Sequence, residues 1–171
     1  MRTLTDAECR EWCAANGVAL SADICPSWPP EGMALLAFRI PGSHARLYWF
    51  SRYLESVLPS SQQRLMWVVE VGVWPDSENW ALFNRFRQSY GESRTLEQAP
   101  GQLFEPDESG DFATFIELCI LNGWGAYLAT SPASRLAFIS HDEYVELVAS
   151  DAGALAKVQG ELAAADVTLL K

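Results

Sequence analysis

The decapeptide Leu65-Met66-Trp67-Val68-Val69-Glu70-Val71-Gly72-Val73-Trp74 constrains the fold of this chain more than any other segment. Branched and aromatic residues fill it almost without interruption, which suits an extended strand, and Pro75 closes it. It falls short of the roughly 20 apolar residues that a membrane-spanning helix needs, and Glu70 interrupts it. A strand of this kind is not stable alone, so the remaining sequence has to supply further strands and a helical cover.

The 171 residues are of single-domain size, since domains usually hold roughly 100 to 200 residues. Hydrophobic residues make up 49% of the chain and charged residues 20%, which provides a closed core and is unlike the composition of disordered segments. No internal repeat or flexible linker divides it. One globular domain over residues 1–171 is expected, with a helix from about residue 151 at its periphery.

Helical patterns flank the apolar run on both sides. Thr5 and Glu8 stand at capping-box spacing and predict a helix to about Asn16, stopped by Gly17. Pro26, Pro29, Pro30 and Gly32 break regular structure before residues 33–40, which read as a short buried strand. Ser43 opens a second helix, in which Leu47, Phe50, Leu54 and Leu58 recur up to Pro59 while Arg46, Arg52 and Glu55 form an outer charged face. Ser77, Glu78 and Asn79 introduce a third, carrying Trp80, Phe83, Phe86 and Tyr90. Residues 101–110 read as a loop or short edge strand. Asp111 then caps a helix with Phe112, Phe115, Ile116, Cys119 and Ile120, ended by Asn122-Gly123.

Residues 124–129 and 136–139, on either side of the turn-rich 130–134, predict a hairpin. Ser140 and Glu143 repeat the capping-box spacing and predict a short helix through Tyr144, Leu147 and Val148. An alanine-rich helix begins near Asp151. The alternation predicts an α+β fold, a small antiparallel or mixed sheet packed by several helices that cover one side.

Chemical motifs are sparse. Cys9 and Cys13 share a helical face at their four-residue spacing, and Cys25 and Cys119 lack a metal-ligand pattern, so all four are expected to be core or incidental thiols. The N-terminus is polar before any signal-peptide core forms, which makes the cytoplasm the expected location. His44 and His141 are the only histidines. His141 lies in Ser140-His141-Asp142-Glu143, where it reads as a first-turn residue of a capped helix. An alternative is a small hydrolase with a surface cleft near His141. No nucleophile motif, phosphate loop or dinucleotide fingerprint accompanies it, so no catalytic residue, cofactor or metal is assigned. Asp107, Glu108 and Asp111 do not reproduce a calcium loop.

Twelve lysines and arginines stand against 22 aspartates and glutamates, a net charge of −10, which argues against general nucleic-acid binding. Arg85, Arg87 and Arg94 form only a local basic island. Residues 95–134 contain no lysine or arginine but carry Glu97, Glu105, Asp107, Glu108, Asp111 and Glu117. This interval is the expected protein interface, with Glu105, Asp107, Glu108 and Asp111 as its carboxylates and Trp124 and Tyr127 as aromatic anchors. The leading expectation is a non-enzymatic acidic protein-binding module, acting on a cationic protein or toxin in the manner of a bacterial immunity protein. A homo-oligomeric structural module is a further alternative. No membrane partner is expected.

Overall fold

The apolar decapeptide does become a strand, but it leaves the sheet early. The computed structural model describes residues 1–20, 28–59 and 63–170. In it, the strand spans Arg64–Glu70, and Gly72, at a φ of 76°, turns the chain away before Pro75 is reached. Only glycine adopts that backbone region without steric cost. No helix among the described residues is long and apolar enough to cross a membrane.

Among the described residues seven strands form one sheet: β1 (Arg2–Leu4), β2 (Ala34–Arg39), β3 (Arg64–Glu70), β4 (Gly101–Phe104), β5 (Gly125–Thr130), β6 (Arg135–Ser140) and β7 (Tyr144–Ala149). Their spatial order is β1-β4-β3-β5-β6-β7-β2, and every neighbouring pair is antiparallel. The α+β architecture follows the expectation, with five α-helices among the described residues packed on the sheet: α1 (Asp6–Ala15), α2 (His44–Val57), α3 (Trp80–Ser89), α4 (Ser109–Leu121) and α5 (Ala152–Ala164).

The helices do not all lie on one side. Met66 and Val68 enter a large core with residues of α2, α3, α4 and α5, whereas Leu65 and Trp67 enter a second core with Cys9, Trp12 and Cys13 of α1. A strand that is apolar on both faces needs cover on both. Gly101 permits the close approach of α1 to β4, because a Cβ there would run into the Cys9 sulfur and come within 3.0 Å of Leu4 Cβ.

Several local expectations are overturned by pairing. Residues 101–104 form an interior strand, because the three-residue β1 pairs outside it. β2 is an edge strand in which only Phe38 is fully buried and Leu35 is 46% exposed. Beyond it, Arg39 N–H donates to Thr168 O and Leu170 N–H to Ala37 O, so the chain after α5 occupies part of the open edge. Such cover limits edge-to-edge pairing with other chains. The segment after Ser140 is a strand and not a helix. Ser140 and Glu143 frame a tight turn, with Glu143 at a φ of 64° and Ser140 Oγ accepting from Asp142 N–H at 3.1 Å.

The capping predictions for α1 and α2 match the structure: Thr5 and Glu8 form a reciprocal capping box, and Ser43 Oγ accepts from Arg46 N–H. α4 begins at Ser109, two residues before its expected cap, Asp111. α5 begins where expected and buries Leu155, Val158 and Leu162 in the large core.

Glu55 is not part of an outer charged face. It is buried and accepts from Arg64 Nη1 at 2.6 Å, while Arg64 Nη2 donates to Ser109 Oγ at 3.0 Å and the guanidinium lies 4.7 Å from the Phe112 ring centre. α2, β3 and α4 therefore meet on one desolvated cation. Glu55→Ala, which strands that cation, is expected to cost about 3–5 kcal/mol in urea unfolding. Replacing both partners, as Arg64→Met with Glu55→Leu, is expected to recover most of the loss. A single-variant cost below about 1 kcal/mol would show that the pair is not a keystone.

Candidate functional site

At the end of the sheet where β3 and β5 pair Glu70 with Gly125, a β-bulge between Val68 and Glu70 shifts the register. Bulges re-aim the side chains that follow them. The Glu70 side chain lies over the place a Gly125 side chain would take, since a Cβ there would stand 2.8 Å from the Glu70 carboxyl carbon and 2.9 Å from its Cβ. From that seat Glu70 Oε2 reaches His141 Nδ1 at 2.7 Å. His141 Nε2 stands 3.6 Å from Asp142 Oδ1.

The β6–β7 turn that carries His141 forms one wall of a cleft of about 680 Å³. The apolar part of the lining includes Ile40, Leu47, Trp74, Ile120 and Leu121, and Trp124 closes the inner side. Asp76, Asp142 and Glu143 supply carboxylates, and no lysine or arginine is among the described lining residues. Trp74 is 53% exposed and donates its indole N–H to His141 O at 3.2 Å. Asn122 ties the start of α3 to α4: Oδ1 accepts from Asn79 N–H, and Nδ2 donates to Leu118 O. The volume is within the range of about 300–1,000 Å³ common to ligand sites.

The residues expected to form an interface do not form one surface. Glu105 and Asp107 are exposed in the turn after β4, where Glu105 accepts from Gln63 Nε2. Glu108 turns inward to accept from Glu105 N–H and from the Met1 amine. Asp111 is half-buried and accepts from the Tyr90 hydroxyl; burial first, and then this bond, push Tyr90 up to about 12. This acidic turn follows Phe104, which pairs with Arg64 at the sheet end opposite Gly125. Trp124 is fully buried against Phe83 and Trp80, at ring separations of 4.7 and 5.0 Å, so it is a core residue and not an exposed anchor. Tyr127 is half-buried beside Phe138 and Trp28.

The basic island is not continuous either. Arg87 is buried and donates to Ala99 O, and desolvation pulls its pKa down. Arg94 pairs with Glu92, whose carboxyl is held down to about 2 chiefly by that hydrogen bond. Arg85 remains exposed. Cys9, Cys13 and Cys119 are buried free thiols, and burial pushes Cys13 up to about 11 and the other two higher still. Such thiols are poor nucleophiles. Cys25 and Pro26 lie outside the described residues. His44, the first residue of α2, is exposed. Among the described residues, no three His, Cys, Asp or Glu side chains gather in a metal-holding group.

Sequence reasoning placed His141 beside Asp142 but missed Glu70 as its closer partner. The available signal was Glu70 itself, a single charge within an apolar strand, which needs a polar partner when partly withdrawn from water.

Gly125→Ala is expected to leave the overall circular dichroism intact while displacing Glu70, so that the ring-nitrogen resonances of His141 move toward those of Glu70→Gln. Unchanged His141 resonances would show that the glycine is not required for the pair. For Glu92 the sign is that of a depressed carboxyl: its stabilisation is complete above about pH 4.5 and fades as the pH falls toward 2. Glu92→Gln is therefore expected to destabilise the protein by about 1.5 kcal/mol at pH 7, a low value for a charged bond because Arg94 is 41% exposed, with the difference from the parent vanishing near pH 2. Denaturant unfolding across that pH range measures it.

A scan against protein-family models matches none, and comparisons with curated proteins and with solved structures give no significant match.

Proposed function

We propose that this chain is a non-enzymatic binding module for a cationic protein, neutralising a toxin in the manner of a bacterial immunity protein. One observation carries the reading: the net charge of −10 is displayed and not stored. The buried charged side chains among the described residues are Glu55, Arg64, Arg87 and Glu92, two of each sign, so the interior cancels and the surface holds the excess. Glu97, Glu105 and Asp107 are exposed within the interval that contains no lysine or arginine. A surface of this sign speeds encounter with a basic partner and repels nucleic acid. The positively charged active cleft of a nucleic-acid-processing toxin has the complementary chemistry. On this reading the protein acts in the cytoplasm.

A second reading, a small hydrolase, draws on the 2.7 Å approach of Glu70 to His141 at the cleft. A carboxylate that accepts from Nδ1–H orients the ring and leaves Nε2 as its second nitrogen, the arrangement of an oriented general base. Turnover of an ester or phosphoester panel that disappears in His141→Gln would favour it, and its absence from the parent protein would reject it.

The binding reading is tested with the purified chain against products of genes flanking its own and a panel of cationic toxins. Association is expected at about 50 mM salt and is expected to weaken about tenfold or more by 500 mM, because screening shortens the reach of surface charge. No association at low salt, or an affinity indifferent to salt, would overturn it.

A further inference from the structure

We infer that the cleft beside His141 is where the cationic partner is held, and that it takes an arginine side chain flanked by apolar residues on a protein surface. This rests on the binding reading above and adds to it the place and the recognised side chain.

The cleft combines two features that the acidic turn after β4 does not. Its lining is apolar through Ile40, Leu47, Ile120 and Leu121, and its carboxylates come from Asp76, Asp142 and Glu143. Part of this lining is well exposed, Leu121 at 38% and Trp74 at 53%. Exposed apolar surface beside carboxylates that share the described lining with no lysine or arginine matches a ligand with a hydrocarbon stem and a cationic head. Arg39, the last residue of β2, donates to the Asp142 carbonyl and not to its carboxylate, and it is outside the lining.

Arginine fits better than lysine for two reasons. Its planar guanidinium pairs with a carboxylate through two parallel hydrogen bonds, and it is weakly enough hydrated to stack on an indole. Trp74 provides that indole, held by its hydrogen bond to His141 O, while the Glu70 contact braces the same histidine. Cation–π stacking on tryptophan is the strongest of the aromatic cases. Glu70 and His141 are on this account positioning residues for the turn.

The acidic turn offers less. Glu105 and Glu108 already accept hydrogen bonds from within the chain, which leaves Asp107 as the exposed carboxylate of that turn without an intramolecular bond described for it. Its contribution is long-range attraction, whereas the cleft supplies short-range fit.

The experiment follows amide resonances of the intact chain during titration with acetyl-Leu-Arg-Leu-amide and with matched peptides carrying lysine, citrulline or glutamate in place of arginine. Saturable shifts are expected at residues 74–76, 120–124 and 140–143, with arginine binding at least about tenfold more tightly than isosteric, uncharged citrulline and lysine in between. The exposed pair Asp76→Asn with Asp142→Asn is expected to weaken arginine binding about tenfold, and Glu105→Gln with Asp107→Asn by less than about twofold. Equal binding of citrulline, no saturable shift in the cleft, or indifference to the Asp76 and Asp142 changes would overturn the assignment. If the peptide instead shifts residues 105–111, or a cationic protein binds undiminished by the cleft changes, the assignment to the cleft fails while the reading as a binder of cationic proteins stands. Failure of the whole cationic panel removes both.

Discussion

A strand with both faces out of water has to be covered twice, and most of this architecture answers that demand on β3. Met66 and Val68 face the core built with α2, α3, α4 and α5, and Leu65 and Trp67 face the one built with α1. At the head of the strand Arg64 is buried with them, so its charge has to be met inside: Glu55 comes from α2, Ser109 and the Phe112 ring from α4. A desolvated guanidinium tolerates few arrangements of its neighbours, and the pair thereby sets where two helices sit on the sheet. Apolar burial supplies the driving force, and the buried cation restricts its geometry.

The opposite end of β3 is built for a different outcome. There the strand bulges, becomes half-buried and carries Glu70 over a residue with no side chain. The same carboxylate then braces His141 on a turn that closes one wall of the cleft. Structural rigidity and available chemistry thus come from two carboxylates of contrasting burial. Glu55 is consumed by an internal cation, whereas Glu70 holds a partly exposed imidazole beside the carboxylates that line the cleft.

Charge along the sequence and charge in space differ for a related reason. The interval over residues 95–134 is acidic in sequence, yet Glu108 and Asp111 accept hydrogen bonds within the fold and Trp124 is in the core. Asp76 and the adjacent pair Asp142 and Glu143, distant from it in the chain, line one cleft. The basic island behaves similarly, since Arg87 goes inside and Arg94 is engaged by Glu92. The charges along the chain determine the net value and not which of them meet.

What the sequence determined by itself was whatever is decided within a few residues: the caps at Thr5 and Ser43, the helical spacing of Leu47, Phe50 and Leu54, the β5–β6 hairpin, and an α+β composition. These depend on local hydrogen bonds and on side-chain periodicity. Only the tertiary structure decided the state of residues 144–149, whose apolar positions suit a helix or a strand until β6 and β2 offer hydrogen bonds on both edges. The same holds for β4, interior because β1 pairs outside it, and for Glu55, drawn inward by a cation nine residues later. The cleft belongs to this second class. Glu70, Gly125 and His141 acquire a shared role only when sheet register brings them together, and no local pattern encodes a distance between strands.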